Sequence, residues 1–161
     1  MLKLFLLRHG KACAPKVDQK DYDRPLNKKG LAQINQIGFQ LKNNDTKGFE
    51  LIFSSAKRTS ETAVILNHHL HFSSISDDES LYLASEELIL KHLMFNAKEA
   101  SVVFVGHNFG ISNLASQLSG KSISMSTGML IEFEFDIDDW KTLKNAKGRI
   151  VHSITPNVFI P

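Results

Sequence analysis

Short apolar runs alternate with longer amphipathic segments along the 161 residues of this chain. Dense apolar runs cover residues 1–7, 49–53 and 101–105, and each is too short for a helix and typical of a strand buried on both faces. Strands that alternate with amphipathic helices predict βαβ units, and therefore a parallel sheet with helices on both of its faces. The predicted helices cover residues 27–41, 57–70, 86–95 and 109–118.

The remaining segments have weaker patterns. Residues 129–135 alternate acidic with apolar side chains, which predicts a strand with one polar face, near an edge of the sheet. Residues 149–154 predict a final strand, whereas residues 72–83 fit either a short strand or an irregular segment. Asn43-Asn44-Asp45 are predicted to end the first helix.

Length and charge bound the fold and the function classes. We predict an α/β protein, a three-layer α/β/α sandwich with a mostly parallel central sheet, in a single domain over residues 1–161. A segregated antiparallel sheet beside helices is the less favoured alternative. The chain has 19 basic and 17 acidic residues and a net charge of +2, so no nucleic-acid or membrane partner is expected. With one cysteine, Cys13, no intrachain disulfide can form, and no secretory signal is apparent, so the predicted location is cytoplasmic.

Polar residues of reactive type follow three of the predicted strands. The carboxyl ends of parallel strands share one edge of a sheet, where ligands of such folds bind. At these ends stand Arg8-His9-Gly10, then Ser54, Ser55 and Arg58, and then Gly106-His107-Asn108. We therefore expect two histidines and two arginines to converge on one rim.

This set of side chains fits phosphoryl transfer. An arginine presents a planar fork of donors that matches two phosphoryl oxygens, and the helix that begins near Arg58 adds positive potential. An imidazole attacks phosphorus when one nitrogen is unprotonated and the other donates to a fixed acceptor. The backbone carbonyl of Gly10, beside His9, is a candidate for that acceptor. The residues therefore predict a phosphorylated substrate.

Three sequence blocks resemble those of the histidine phosphatase superfamily. They are Leu7-Arg8-His9-Gly10, Ser54-Ser55-Ala56-Lys57-Arg58 followed by Thr62-Ala63, and Val105-Gly106-His107-Asn108. The resemblance implies a phosphoglycerate mutase-like fold and a covalent phosphohistidine on His9. It implies that Arg8 and Arg58 bind the phosphoryl oxygens and that His107 stabilises the transition state. It also implies that the reaction needs no metal and no cofactor, because these side chains supply the positive charge.

Further segments resemble the SixA-type phosphohistidine phosphatases within that superfamily. They are Asp23-Arg24-Pro25-Leu26-Asn27-Lys28-Lys29-Gly30, residues 106–111 and Ser126-Thr127-Gly128. This chain departs from that branch at position 27, where Thr or Ser is usual, and at position 109, where Pro is frequent. The chain is short and lacks the large cap insertions of acid phosphatases, so the resemblance implies a histidine-phosphorylated protein as the substrate.

The other candidate site residues rest on less specific patterns. The predicted substrate-binding residues are Arg24, Thr127, Gly10 and Asn108. The candidate general acid is Glu79, for which a solvated acidic loop is an equal alternative. Less favoured as acids are Asp18, Asp21 and Asp23. Two aromatic residues near the last block, Phe104 and Phe109, are predicted to pack in the core.

Two other functions fit the same motifs. One is a phosphatase of small phosphate esters or, less favoured, a mutase, which normally carries insertions that close over a sugar acid. The other is a non-catalytic phosphate-binding module, which usually loses one of the four groups that are all present here.

Overall fold

The computed structural model describes residues 1–42 and 46–161. Within them the strands are β1 Leu2–Arg8, β2 Phe49–Ser54, β3 Phe72–Asp78, β4 Ser101–Gly106, β5 Leu130–Phe135 and β6 Arg149–Ile154. The α-helices are α1 Lys28–Leu41, α2 Lys57–His69, α3 Glu86–Asn96 and α4 Gly110–Ser119. Short 3₁₀ helices cover Asp21–Asp23, Glu79–Leu81 and Trp140–Asn145. Residues 43–45, predicted to end α1, lie outside the described residues.

Local sequence signals fix several helix ends. The Asn27 side chain accepts a hydrogen bond from the Gly30 backbone N–H at 2.9 Å and caps the start of α1. Ser85 caps α3 in the same way, and α4 ends at Gly120, which has a φ of 69° that favours glycine. None of the helices within the described residues is long and apolar enough to cross a membrane.

The six strands form one sheet in the order β3-β2-β4-β1-β5-β6. The first four of these are mutually parallel, whereas β5 and β6 are each antiparallel to the preceding strand in that order. The mostly parallel sheet is therefore confirmed. Residues 72–83 resolve into β3, which forms one edge of the sheet, and a 3₁₀ helix.

Both faces of the sheet are buried, which explains the uninterrupted apolar runs. Side chains alternate along β1, so Leu4 and Leu6 pack on one face while Phe5 and Leu7 pack on the other. The first face is covered by α3, α4 and the 3₁₀ helix that holds Trp140, and the second by α1 and α2. The predicted three-layer sandwich is confirmed.

The strand β5 lies next to the edge strand β6, so its predicted position near an edge is confirmed, but its acidic face is not left to solvent. It pairs with β1 on one side and β6 on the other. Its Glu132 is buried and has two partners: Lys3 Nζ at 3.7 Å forms an ion pair, and His152 Nδ1 lies at hydrogen-bond distance, 2.7 Å. Alternating charge here reflects ion pairing between neighbouring strands rather than contact with water.

The reversed direction of β5 brings one more segment to the carboxyl ends of the parallel strands. Because β5 is antiparallel to β1, the turn that precedes it lies beside the end of β1. In that turn the Gly128 N–H lies 3.0 Å from the backbone oxygens of both Arg8 and His9, and the Arg8 N–H donates to Met129 O at 3.1 Å. Four separate stretches of chain thus meet at one rim.

Candidate active site

A cavity of about 260 Å³ opens at this rim. Its lining residues are Arg8, His9, Lys11, Ala12, Arg24, Arg58, Leu83, His107, Asn108 and Thr127. The two histidines and two arginines expected to converge do share this one space. They come from three element ends: Arg8 and His9 from the end of β1, Arg58 from the first turn of α2, and His107 from the residue after β4.

The His9 imidazole is held in one tautomer. Its Nδ1 lies 2.7 Å from the Gly10 backbone oxygen, which can only accept, so Nδ1 carries the proton. Nε2 is then unprotonated and accepts a hydrogen bond from Arg58 Nε at 3.3 Å. Burial first, and the nearby arginines Arg58, Arg8 and Arg24 next, lower the pKa of His9 to about 4 even though the bond to Gly10 opposes this. At neutral pH this ring is therefore uncharged and keeps a lone pair on Nε2.

The second imidazole, His107, is more deeply buried. Its Nε2 lies 2.8 Å from Ser54 Oγ, and its ring centroid lies 5.3 Å from that of His9. Burial first, and then unfavourable electrostatic interaction with His9 and Arg58, lower the pKa of His107 to about 3. Its Nδ1 is buried and has no hydrogen-bond partner within the described residues.

The two arginines are held by hydrogen bonds to other parts of the protein. Arg8 Nη1 donates to the Met125 backbone oxygen at 2.9 Å, while its buried Nε has no partner among the described residues. Arg58 is 4% exposed and donates to His9 and to Asp21. Unpaired buried donors are rare in proteins and indicate a missing partner. Together with the unpaired Nδ1 of His107, they fit an oxyanion.

The backbone at Gly10 packs against α1 at van der Waals distance. A Cβ on Gly10 would lie 2.6 Å from Gly30 O, and one on Gly30 would lie 2.1 Å from Lys11 O. The Gly10 N–H donates to Thr62 Oγ1 on α2 at 3.2 Å. Gly10 therefore acts through its backbone: it orients His9 and ties β1 to two helices. Thr62 belongs to the second sequence block, yet the sequence reasoning gave it no role.

Comparison with known proteins shows which family this chain resembles. The family model of the histidine phosphatase superfamily, branch 1, matches residues 4–82, which include His9 and Arg58. Over these residues the chain matches the histidine phosphatase superfamily, and the predicted resemblance is confirmed.

Solved structures show the same fold. The SixA proteins of Agrobacterium tumefaciens and Nakamurella multipartitia match with TM-scores of 0.84 and 0.83, each at 21% identity. The first match covers 96% of this chain and 98% of the other, and the second covers 98% and 97%. A mycobacterial glucosyl-3-phosphoglycerate phosphatase matches at 0.67 and 15% identity, over 94% of this chain and 98% of the other. The phosphoglycerate mutase-like fold is confirmed.

An uncharacterized chloroplastic protein of Arabidopsis thaliana is 28% identical over 138 residues. The alignment covers 78% of this chain and 62% of that protein, so the chain spans about three fifths of the length of this relative.

The predicted substrate-binding residues lie at the cavity rim. Arg24 lines it and donates from Nε and Nη2 to the Cys13 backbone oxygen at 2.9 and 2.8 Å. Thr127 accepts from Gln33 Nε2 at 3.4 Å, and Asn108 donates to Met125 O at 3.1 Å. Lys11, which the sequence reasoning passed over, also lines the cavity.

The candidate acid Glu79 is placed differently. It is exposed and begins the 3₁₀ helix after β3, and it is not among the described residues that line the cavity. The carboxylate that does contact the cavity residues is Asp21, bound to Arg58 and Arg24. The Tyr82 hydroxyl first, and the two arginines next, hold the pKa of this carboxyl well below its usual range. Asp21 is thus ionised and is not a proton donor at neutral pH.

Phe109, predicted to pack in the core, is 80% exposed just after Asn108. Its helix α4 buries the residues on the opposite face, so the apolar character of position 109 does not reflect core packing. Phe104, by contrast, is fully buried, as expected.

Proposed function

We propose that this chain is a phosphatase that transfers a phosphoryl group from protein phosphohistidine to His9 and then to water. The observation that carries the proposal is the fixed tautomer of His9. Its Nδ1 donates to Gly10, so the lone pair on Nε2 lies inside a cavity lined by two arginines and a second histidine. This arrangement supplies both a nucleophile and the positive charge that a phosphoryl transition state needs.

The reaction balances in two steps. In the first, the bond between His9 Nε2 and phosphorus forms as the bond from phosphorus to the substrate imidazole breaks. The substrate ring departs neutral because its second nitrogen carries a proton. In the second, water attacks phosphorus, the bond to His9 Nε2 breaks, and both protons of the water leave with the phosphate as H₂PO₄⁻. His9 returns to its starting tautomer.

The acid chemistry of the cavity favours an imidazole leaving group. The described lining residues include no Asp or Glu, so none of these side chains protonates an alkoxide as it departs. An imidazole is a far better leaving group and does not require that donor. The site therefore suits P–N bonds better than alkyl phosphate esters.

The cavity mouth also suits a protein substrate. Leu83 lines the cavity, is 54% exposed and has a φ of 48°, a left-handed conformation that costs a non-glycine residue about 1 kcal/mol. Phe109 is exposed beside the cavity residue Asn108. Apolar side chains around a basic cavity provide contact area that a small ester cannot use. The likeness of fold to SixA proteins, one of which is described as a protein histidine phosphatase in complex with tungstate, agrees with this substrate.

Covalent labelling tests the nucleophile. Incubation with ³²P-phosphoramidate should give a label that is stable to alkali and lost in acid, as expected of phosphohistidine. The label should be absent from His9→Ala and present in His68→Ala, which changes an exposed histidine on α2. A label of undiminished intensity on His9→Ala would remove His9 as nucleophile.

A comparison of substrates tests which leaving group the site prefers and whether apolar residues at the cavity mouth contact the substrate. We expect kcat/KM for a phosphohistidine protein to exceed that for p-nitrophenyl phosphate and for alkyl esters. Phe109→Ser should lower kcat/KM for the protein about tenfold, the loss expected when one large apolar contact is removed, and leave phosphoramidate unaffected. Phe39→Ser, at a similarly exposed position on α1, is the matched control. Faster turnover of small alkyl esters would assign the enzyme to that substrate class instead.

A further inference from the structure

We infer that Asp21 is a positioning residue, which holds the Arg58 guanidinium against His9 and couples Arg24 to it. This inference rests on the proposed function, because its consequence is the rate of phosphoryl transfer. Neither the sequence blocks nor the general-acid prediction gives Asp21 this role.

Two oxygens of Asp21 accept hydrogen bonds from Arg58. The Asp21 backbone oxygen accepts from Arg58 Nη1 at 2.8 Å, and its Oδ2 accepts from Arg58 Nη2 at 3.0 Å. The third nitrogen, Nε, donates to His9 Nε2 at 3.3 Å. Because all three nitrogens of a planar group have fixed partners, the plane and rotation of the guanidinium are set. The same contacts leave the second hydrogens of Nη1 and Nη2 for phosphoryl oxygens.

Two other side chains donate hydrogen bonds to the same carboxylate. Oδ1 accepts from Arg24 Nη1 at 2.7 Å, and the Tyr82 hydroxyl donates to Oδ2. The Tyr82 ring lies 5.5 Å from the ring of His107, edge to face, and Arg58 Cζ lies 5.8 Å from the Tyr82 centroid. Asp21 therefore links three segments that lie beside the two histidines. They are its own 3₁₀ helix, α2 and the segment after β3.

The negative charge of Asp21 suits the role of holding Arg58 and Arg24 in place. The cavity is lined by Arg8, Lys11, Arg24 and Arg58, so an ionised carboxylate behind two of these arginines reduces their mutual repulsion. Three donors converge on its two side-chain oxygens. An amide has a single acceptor oxygen, and its NH₂ group would face a guanidinium or hydroxyl donor. Asparagine cannot satisfy the set.

A purely structural role fits less well. The Asp21 side chain is 45% exposed, and the 3₁₀ helix that carries it buries none of its residues. The pair of Asp21 with Arg24 is partly exposed, and exposed ion pairs contribute little to folding. We therefore expect loss of this hydrogen-bond network to change mainly the orientation of Arg58 and not the stability of the fold.

The test separates alignment from binding and from folding. In Asp21→Asn we expect kcat to fall about 10- to 100-fold, the loss typical of a small misplacement in an active site. The dissociation constant for tungstate should stay the same or decrease, because loss of a negative charge makes the cavity more positive. Tyr82→Phe should lower kcat in the same direction by a smaller factor. Asp23→Asn, on the same 3₁₀ helix, removes the same charge at an exposed position and should match wild type.

Two outcomes would overturn the inference: kcat in Asp21→Asn within twofold of wild type, or a loss of kcat matched by an equal loss of tungstate affinity and a lower melting temperature. If wild type turns over no phosphorylated substrate, the proposed function fails. The positioning role is then decided by the Arg58 Nε–H signal in ¹⁵N NMR spectra. That signal should be sharp and slowly exchanging in wild type and in Asp23→Asn, and broadened in Asp21→Asn. An unchanged signal would reject the positioning role.

Discussion

At the residue scale, two buried histidines that stay neutral are the central feature of the site. Gly10 O holds Nδ1 of His9, and Ser54 Oγ holds Nε2 of His107. Burial and nearby cations disfavour the protonated form of both rings. The uncharged imidazole that the proposed nucleophile needs is thereby available over a wider pH range than that of an ordinary histidine.

This neutrality predicts the acid limb of the pH–rate profile. His9 must lose its proton to attack, and its pKa is lowered from 6.5 to about 4, so protonation should stop catalysis only well below pH 6.5. We expect kcat/KM, corrected for ionisation of the substrate, to stay nearly constant from about pH 7 down to about pH 5. A fall centred near pH 6.5 would contradict this reading of His9.

The residue types of the site were predictable, whereas their mutual contacts were not. Arg8, His9, Arg58 and His107 could be predicted because they follow strand runs and stand in recognisable blocks. Asp21 was weighed only as an acid, because its partner Tyr82 lies 61 positions away and outside every block. Hydrogen bonds between distant loops leave no periodic signal in a single sequence.

At the element scale, the site depends on the close approach of α1 to the loop after β1. Gly30, in the first turn of α1, leaves no space for a side chain against the Lys11 backbone. The Lys11 N–H in turn donates to Gln33 Oε1 at 2.9 Å, and Gln33 reaches Thr127. The start of this helix thus supports two parts of the cavity wall.

This packing predicts a pair of contrasting glycine variants. Gly30→Ala should lower the free energy of unfolding by about 1–3 kcal/mol, typical of overpacking against backbone, and weaken tungstate binding because the loop is displaced. Gly38→Ala, in the same helix, would bring its Cβ to 2.5, 2.7 and 3.0 Å from Cδ2, Cγ and Cβ of His69, which does not line the cavity. That variant should also lower the free energy of unfolding, but it should leave tungstate binding unchanged. Chemical denaturation and tungstate titration measure both, and equal effects of the two variants on tungstate binding would reject the argument.

Some features of the strands and helices could be predicted from the sequence, and others could not. The runs of β1, β2 and β4 were predicted because burial on both faces leaves a continuous apolar signal. The burial of Glu132 on β5 was not predicted, because its partners Lys3 and His152 lie on neighbouring strands, which a single segment cannot reveal. Phe109 was misassigned for the converse reason, since apolar character by itself does not distinguish core from an exposed rim.

At the scale of the whole molecule, the buried histidines couple the site to stability. Their pKa values are lower in the folded chain than the ordinary 6.5 of an unfolded one. Between about pH 6.5 and pH 4 the unfolded state therefore binds more protons, so stability decreases as pH falls.

This linkage predicts acid destabilisation that an oxyanion reduces. Between about pH 6.5 and pH 5, above the range where carboxyl groups titrate, each histidine should remove up to roughly 1.4 kcal/mol of unfolding free energy per pH unit. Urea unfolding at several pH values measures the slope, and His107→Gln should lessen it. Inorganic phosphate, which binds only the folded chain, should raise stability throughout. A flat profile over this range would show that the two rings are not shielded as described.

The position of β4 between β1 and β2 has a consequence for synthesis on the ribosome. A nascent chain that ends before residue 101 already contains Arg8, His9 and Arg58, but the strands leading to them have no hydrogen-bonded neighbour in common. Only when β4 emerges and inserts between them do these groups come within reach of one phosphate. The chain therefore cannot bring these groups together before β4 is in place, and oxyanion binding marks a chain in which β4 lies between β1 and β2.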